Sequence, residues 1–294
     1  MVAESARSTG ASIVIESSHT DAKPFVIIRP ATRQHFPNLT ELFGSRDLLA
    51  FLIRRAIKIR YRQTLLGAGW AVVQPVLTMV MMTIVFRKLI GLPSDGLPYP
   101  LFCLAGLVLW SFTTQAVSAS ASSIIYDVQL IEKVYFPRLL LPIAAVLRGL
   151  LDASVSFVFL ILVMLAYGIF PSPLALLCIP IGLLAALLAI SIGSALAALS
   201  VRFRDIGYLI PFGTQLGLFI TPIAYPVTLI PEKWRLLFAI NPAVGLVETF
   251  RWALFGLKTN PFPLFAVSML SLALITFLGL MIFRRLEHNF ADLI

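Results

Sequence analysis

Charge is what this chain has least of. Asp, Glu, Lys and Arg make up 13% of its 294 residues and 59% are hydrophobic, with several uncharged runs long enough to cross a bilayer. A soluble globular domain is excluded and a polytopic, all-α membrane protein is indicated. Cysteine is nearly absent: Cys103 and Cys178 both fall inside apolar runs and neither sits in a CxxC pattern. No disulfide framework or thiolate metal site follows. His19, His35 and His288 are scattered in polar flanks without ligand spacing, so no metal is expected. GxxxxGK[ST], GxGxxG and HExxH are all missing. The chain therefore reads as no enzyme and carries no nucleotide or cofactor site of its own. Its first residues, MVAESARSTGASIVIESSHT, lack an apolar core followed by a small-residue cleavage site. A cleaved signal peptide is not expected, and the first span would direct insertion.

The charge that is present is unevenly placed. The formal net charge is +9, and ten of the 23 Lys and Arg residues precede Trp70. That distribution fits membrane topology and anionic lipid better than a nucleic-acid groove. Residues 1–45 read as a cytoplasmic tail with a short β-favouring run near Val26. Over 46–62, Arg54, Lys58 and Arg62 recur every four residues while Leu48, Leu52, Ala56 and Ile59 line another face. This is a basic amphipathic helix of the membrane interface, with Arg54, Arg55, Lys58 and Arg62 toward lipid headgroups.

Six spans follow, at about 65–86, 99–121, 139–170, 174–200, 206–226 and 259–283. The second half of span two, SFTTQAVSASASS, is rich in small and hydroxyl side chains, for close packing or for a polar path. Span three carries Arg148 and Asp152 four residues apart, a spacing that predicts a structural ion pair. From Ala153 to Val201 there are 49 residues without a charge, which requires a hairpin of two spans. Asp152 is the one carboxylate inside a span, so an ion-coupled carrier lacks a coupling site. A membrane enzyme of glycan assembly would need paired carboxylates or a metal cluster, and neither is visible.

Two polar interruptions remain. The segment 122–138, SSIIYDVQLIEKVYFPR, keeps apolar residues among Asp127, Glu132, Lys133 and Arg138 and reads as a short helix built to touch another protein. A second contact is expected at Arg202, Arg204 and Asp205. Residues 232–258 are amphipathic and split at Asn241-Pro242, predicting two re-entrant helices at the outer interface. With six spans both termini lie inside, and 17 Lys and Arg then fall on the inner side against 6 on the outer.

RYRQTLLGAGWAVVQP (60–75), LIEKVYFPRLLLP (130–142), Arg204-Asp205 through TPIAYP (221–226), INPAVGLVETFRW (240–252) and the terminal FADLI occur in that order. Together they resemble the membrane permease of ABC-2 type exporters, in particular those moving lipid-linked O-antigen, capsule or teichoic acid across the bacterial inner membrane. The resemblance covers 46–294 as one transmembrane domain. It implies a homodimer working with two copies of a separate ATPase subunit, which would bind ATP and Mg. It implies a coupling helix at 126–136, with Tyr126, Asp127, Leu130, Glu132, Lys133 and Tyr135 toward the ATPase. It also implies an outer gate containing Trp234, Phe238, Glu248 and Arg251, and a channel for a glycan on an undecaprenyl-type lipid. Tyr99, Trp110, Phe112, Thr113, Thr114, Gln115, Phe219 and Tyr225 are the channel candidates, since sugars stack on aromatic rings and exchange hydrogen bonds with hydroxyls. An ABC-2 exporter of a small molecule or drug is the alternative.

Overall fold

The computed structural model describes residues 44–61, 67–134, 136–287 and 290. Arg62, Tyr135, His288, residues 1–43 and the last four residues of FADLI lie outside them. Every regular element among the described residues is helical. Besides three short 3-10 helices (Gly67–Gly69, Pro173–Leu177 and Val227–Leu229), these are in order α1 (Arg46–Tyr61), α2 (Trp70–Met82, continued as a π-helical stretch Thr83–Leu89), α3 (Tyr99–Tyr126), α4 (Val128–Lys133) and α5 (Leu140–Ala166). Then come α6 (Cys178–Arg202), α7 (Ile206–Ile220), α8 (Glu232–Phe238), α9 (Pro242–Phe255) and α10 (Phe262–Glu287).

The helix α3 is the axis of the molecule. Within its apolar window 72% of residues are buried, against 17% for α2, α5 and α10. In hydrocarbon, apolar side chains gain nothing by leaving one another for lipid, so helices associate by close packing at small residues. Ala116, Ser120 and Ala121 of α3 are buried, as are Ala186, Ala189, Gly193 and Ala197 of α6. A Cβ on Gly193 would collide with the Ser120 side chain, and one on Gly279 of α10 would collide with the backbone of Ser191. These two glycines set how closely α3, α6 and α10 approach. The outward faces of α5 and α7, with Val158, Leu162, Phe212 and Phe219, remain exposed and apolar.

The single hairpin over the long uncharged stretch is present as α5 and α6, joined through Gly168 in the left-handed conformation (φ 70°). Other boundaries differ from the sequence reading. The first span extends to Leu89, so Arg87 and Lys88 sit inside its π-helical end, with Arg87 Nη1 donating to the Leu92 carbonyl at 3.0 Å. Span two runs to Tyr126, and the helix expected over 122–138 shrinks to the six residues of α4. Val134 is already extended (φ −134°, ψ 131°), and Phe136-Pro137 keeps the helix from resuming, because a residue before proline is pushed out of the α region.

Among the described residues five helices are long and apolar enough to cross a membrane, and the expected sixth is not one of them. The helix α7 has 15 residues, about 22 Å at 1.5 Å per residue, against a hydrocarbon core of about 30 Å. Thr221 turns extended (ψ 133°), and between Pro222, Pro226 and Pro231 the chain forms only a 3-10 turn, Val227–Leu229, before α8. The split at Asn241-Pro242 is as expected. Asn241 caps α9 by accepting from the Ala243 N–H at 3.1 Å, and Gly256 ends it at φ 64°.

Candidate functional site

A cavity of about 850 Å³ lies between α1, the last turns of α3 and the start of α5, with Gln74 of α2 and Thr214 of α7 at its margin. Its α3 wall is a polar stripe formed by Thr114, Gln115, Ser118 and Ser122. The hydroxyl-rich half of α3 thus does both things the sequence allowed: Ser120 is buried in packing, and the stripe faces the cavity. Thr114 and Ser122 donate to the Trp110 and Ser118 carbonyls at 3.0 Å each, which leaves their oxygen lone pairs toward the cavity. The α1 wall supplies Arg55 and Arg60 beside Leu52 and Ala56, and α5 supplies Arg148 beside Leu141 and Ala144.

Two ion pairs fasten α1 to this cavity. Arg55 Nη1 is 2.8 Å from Asp127 Oδ1, in the residue joining α3 to α4. Arg60 Nη2 is 2.8 Å from Asp152 Oδ2 and donates to Gln115 Oε1 at 3.2 Å. Tyr61 also donates to Asp152. Burial, reinforced by the Asp152 carboxylate, raises the Tyr61 phenol above its ordinary value and keeps it a donor. The expected Arg148–Asp152 pair is therefore replaced. Asp152 is taken by Arg60, which arrives from another helix, while Arg148 lines the same space with its Nε buried and without a hydrogen-bond partner.

Arg60 was not among the residues singled out in the sequence, although its register signalled a buried position. It continues the series Leu48, Leu52, Ala56 at four-residue spacing, the face packed toward α5, where Leu52 joins Phe136, Leu140, Leu141 and Ala144. Arg54 and Lys58 lie on the opposite, exposed side of α1 with Phe51, while Ile59 is exposed on the cavity side.

The other channel candidates are dispersed. Tyr99 is buried and donates to the Ala224 carbonyl at 2.7 Å, and Thr113 is buried and bonded to the Leu109 carbonyl, so neither faces a cavity. Phe112 is buried against Gly149. Trp110 packs on Gly217, where a Cβ would come within 2.6 Å of the indole. Phe219 is exposed on α7, and the Tyr225 hydroxyl closes back on the Phe219 carbonyl at 3.0 Å.

At the other end of the molecule, Arg251 of α9 is fully buried. Its Nε donates to the Phe102 carbonyl at 3.1 Å, Nη1 to Pro222 at 2.7 Å and to Glu248 Oε1 at 3.1 Å, and Nη2 to Ile223 at 2.8 Å. The guanidinium also stacks 3.6 Å from the Phe102 ring centroid. It thereby satisfies the backbone carbonyls left open where α7 breaks, and ties that break to α3 and α9. Trp234 of α8 is exposed and Phe238 half-buried.

Ile125, Tyr126, Glu132, Lys133 and Val134 are exposed around α4, Tyr126 at 83%. Leu130 and Ile131 pack inward against the Leu52 and Phe136 cluster. Arg202, Phe203, Arg204 and Asp205 between α6 and α7 are exposed. Arg138 donates to the Glu287 carbonyl at 2.5 Å and stacks on Phe290, which is buried against Phe283. Among the described residues no three His, Cys, Asp or Glu side chains gather into a metal site.

Residues 47–255 match the family model for the ABC-2 type transporter. The O-antigen export system permease protein RfbA of Klebsiella pneumoniae is 27% identical over 258 residues, covering 87% of this chain and 97% of that protein. Its namesake from Myxococcus xanthus is 30% identical over 257 residues, covering 86% and 97%. The inner membrane transport permease YadH of Escherichia coli K12 is 25% identical over 201 residues, covering 64% and 77%. With a family model over most of its length and helices fit to cross a bilayer, this chain belongs to the ABC-2 type transporter family, as an integral membrane permease.

Proposed function

We propose that this permease moves a lipid-linked polysaccharide of the O-antigen type from the cytoplasmic to the outer side of the bacterial inner membrane, driven by ATP hydrolysis in a separate subunit. The observation that carries this is the cavity itself, with guanidinium groups, a hydroxyl stripe and apolar walls at one end of the bundle. The near full-length likeness to two O-antigen export permeases supports the same reading. Two copies of the chain pair with two ATPase subunits. The helix α7 and the stretch 221–226 together make a sixth crossing, so both termini are cytoplasmic.

In this reading Tyr126, Glu132 and Lys133 receive the ATPase. When ATP closes the partner dimer, α4 is pushed toward the membrane. Asp127 at its base carries Arg55, and with it α1, so the wall of the cavity moves with the motor. The basic outer side of α1 attracts the lipid diphosphate, and α8 and α9 stand at the exit.

The test is co-purification with the ATPase encoded beside this chain, for wild type and for E132A/K133A. The expected result is a stable complex whose ATP hydrolysis is lost or uncoupled by the double substitution. Failure of wild type to hold any ATPase would overturn the proposal.

A further inference from the structure

Arg148 stands out in the cavity because the other charges there are matched. Arg55, Arg60 and Arg148 face it, and the carboxylates of Asp127 and Asp152 take Arg55 and Arg60 at 2.8 Å each. Three cations against two anions leave one positive charge. Among the described residues Arg148 makes no direct ion pair or hydrogen bond: Asp152, four residues on, is held by Arg60, and the Arg148 Nε is buried without a partner. The guanidinium is half-buried, and a cation with its Nε buried and unpartnered at the start of an apolar span is unfavourable. What offsets it is an anion shaped for a fork of parallel N–H donors.

The surroundings restrict that anion. Gln115 and Ser118 of α3 line Arg148's cavity, and its apolar lining comes from α1 and α5, with Ile59 exposed and Leu52, Leu141 and Ala144 showing only their edges. The volume of about 850 Å³ exceeds what a phosphate needs and lies within the usual range for small-molecule sites. We propose that the cavity binds the phosphate or diphosphate group of an amphiphile, with Arg148 as its principal cation and the apolar lining against the first part of the tail. This deepens the lipid-linked reading above and rests on it for the tail. It moves the headgroup site from the exposed Arg54 and Lys58 to the inner side of α1.

The test uses the purified full-length chain in lipid nanodiscs and titration calorimetry with three probes: farnesyl diphosphate, farnesol and inorganic pyrophosphate. Wild type is expected to bind farnesyl diphosphate, R148Q to bind it about tenfold or more weakly, and R148K to fall between. Farnesol should bind weakly, and equally to all three proteins. Equal affinity of wild type, R148Q and R148K for farnesyl diphosphate would overturn the assignment. Pyrophosphate binding as tightly as farnesyl diphosphate, with the same dependence on Arg148, would overturn the amphiphile in favour of a free phosphate. If R148Q does not elute as a single folded species, R148K decides, and wild-type affinity in it contradicts the site. Binding that depends on Arg148 in a chain that exports no glycan would uphold the anion site and remove the exporter reading, so the two fail separately.

Discussion

Arg60 Nη2 lies 2.8 Å from Asp152 Oδ2 and 3.2 Å from Gln115 Oε1, so one side chain of the basic helix joins α1 to both α5 and α3. Asp152 is 13% exposed, which makes this the best shielded link between α1 and the bundle. R60Q or D152N should destabilise the folded chain by about 1.5–3 kcal/mol, the worth of hydrogen bonds to a charged group. Thermal unfolding in detergent measures it. Y61F, which removes a second donor to the same carboxylate, should cost less than either.

The Arg55–Asp127 pair is more open, with side chains 39% and 24% exposed. Solvent screening limits its contribution to about 1 kcal/mol or less. Its importance is expected in motion. R55D and D127R alone should reduce export while leaving the unfolding temperature nearly unchanged, and the combined swap R55D/D127R should restore much of it. Export that is unaffected by either single reversal would separate α1 from the motor.

Arg251 should be the most sensitive position at the other end. R251A leaves Glu248 buried without its partner and opens three carbonyls, a loss of about 3–5 kcal/mol. R251K should rescue little, because one ammonium cannot reproduce the fork that spans Phe102, Pro222 and Ile223. G106A places a Cβ 2.6 Å from Arg251 Nη2 and should cost about 1–3 kcal/mol by overpacking. Yield of folded protein and thermal unfolding read all three.

Tyr126 is 83% exposed at the end of α3. Y126A should shift stability by no more than about 0.5 kcal/mol, as surface substitutions do. Its association with the ATPase should nonetheless weaken, which pull-down of the complex would show.

The sequence made the helical class, the α5–α6 hairpin and the break at Asn241-Pro242 legible, because long uncharged runs and prolines have few structural solutions. It was less informative wherever a partner comes from elsewhere in the chain. The spacing of Arg148 and Asp152 suggests a local pair, yet Arg60 reaches Asp152 first once α1 packs its Leu52 face on α5. Tyr99, Phe112 and Thr113 have the chemistry of a sugar path, but which face of α3 is turned inward depends on α5 and α6. Arg251 reads as an outer charge in sequence. Only the carbonyls freed by the proline-rich break after α7 show why it is buried.

The most direct test of the account is translocation in proteoliposomes that hold this chain and its neighbouring ATPase. A polyprenyl-diphosphate-linked glycan would be placed in the leaflet facing added ATP, and a lectin on the opposite side would report its arrival. The account predicts ATP-dependent arrival with the wild-type chain and a clear loss with R148Q. ATP hydrolysis without any arrival of the glycan, or arrival without ATP, would contradict it.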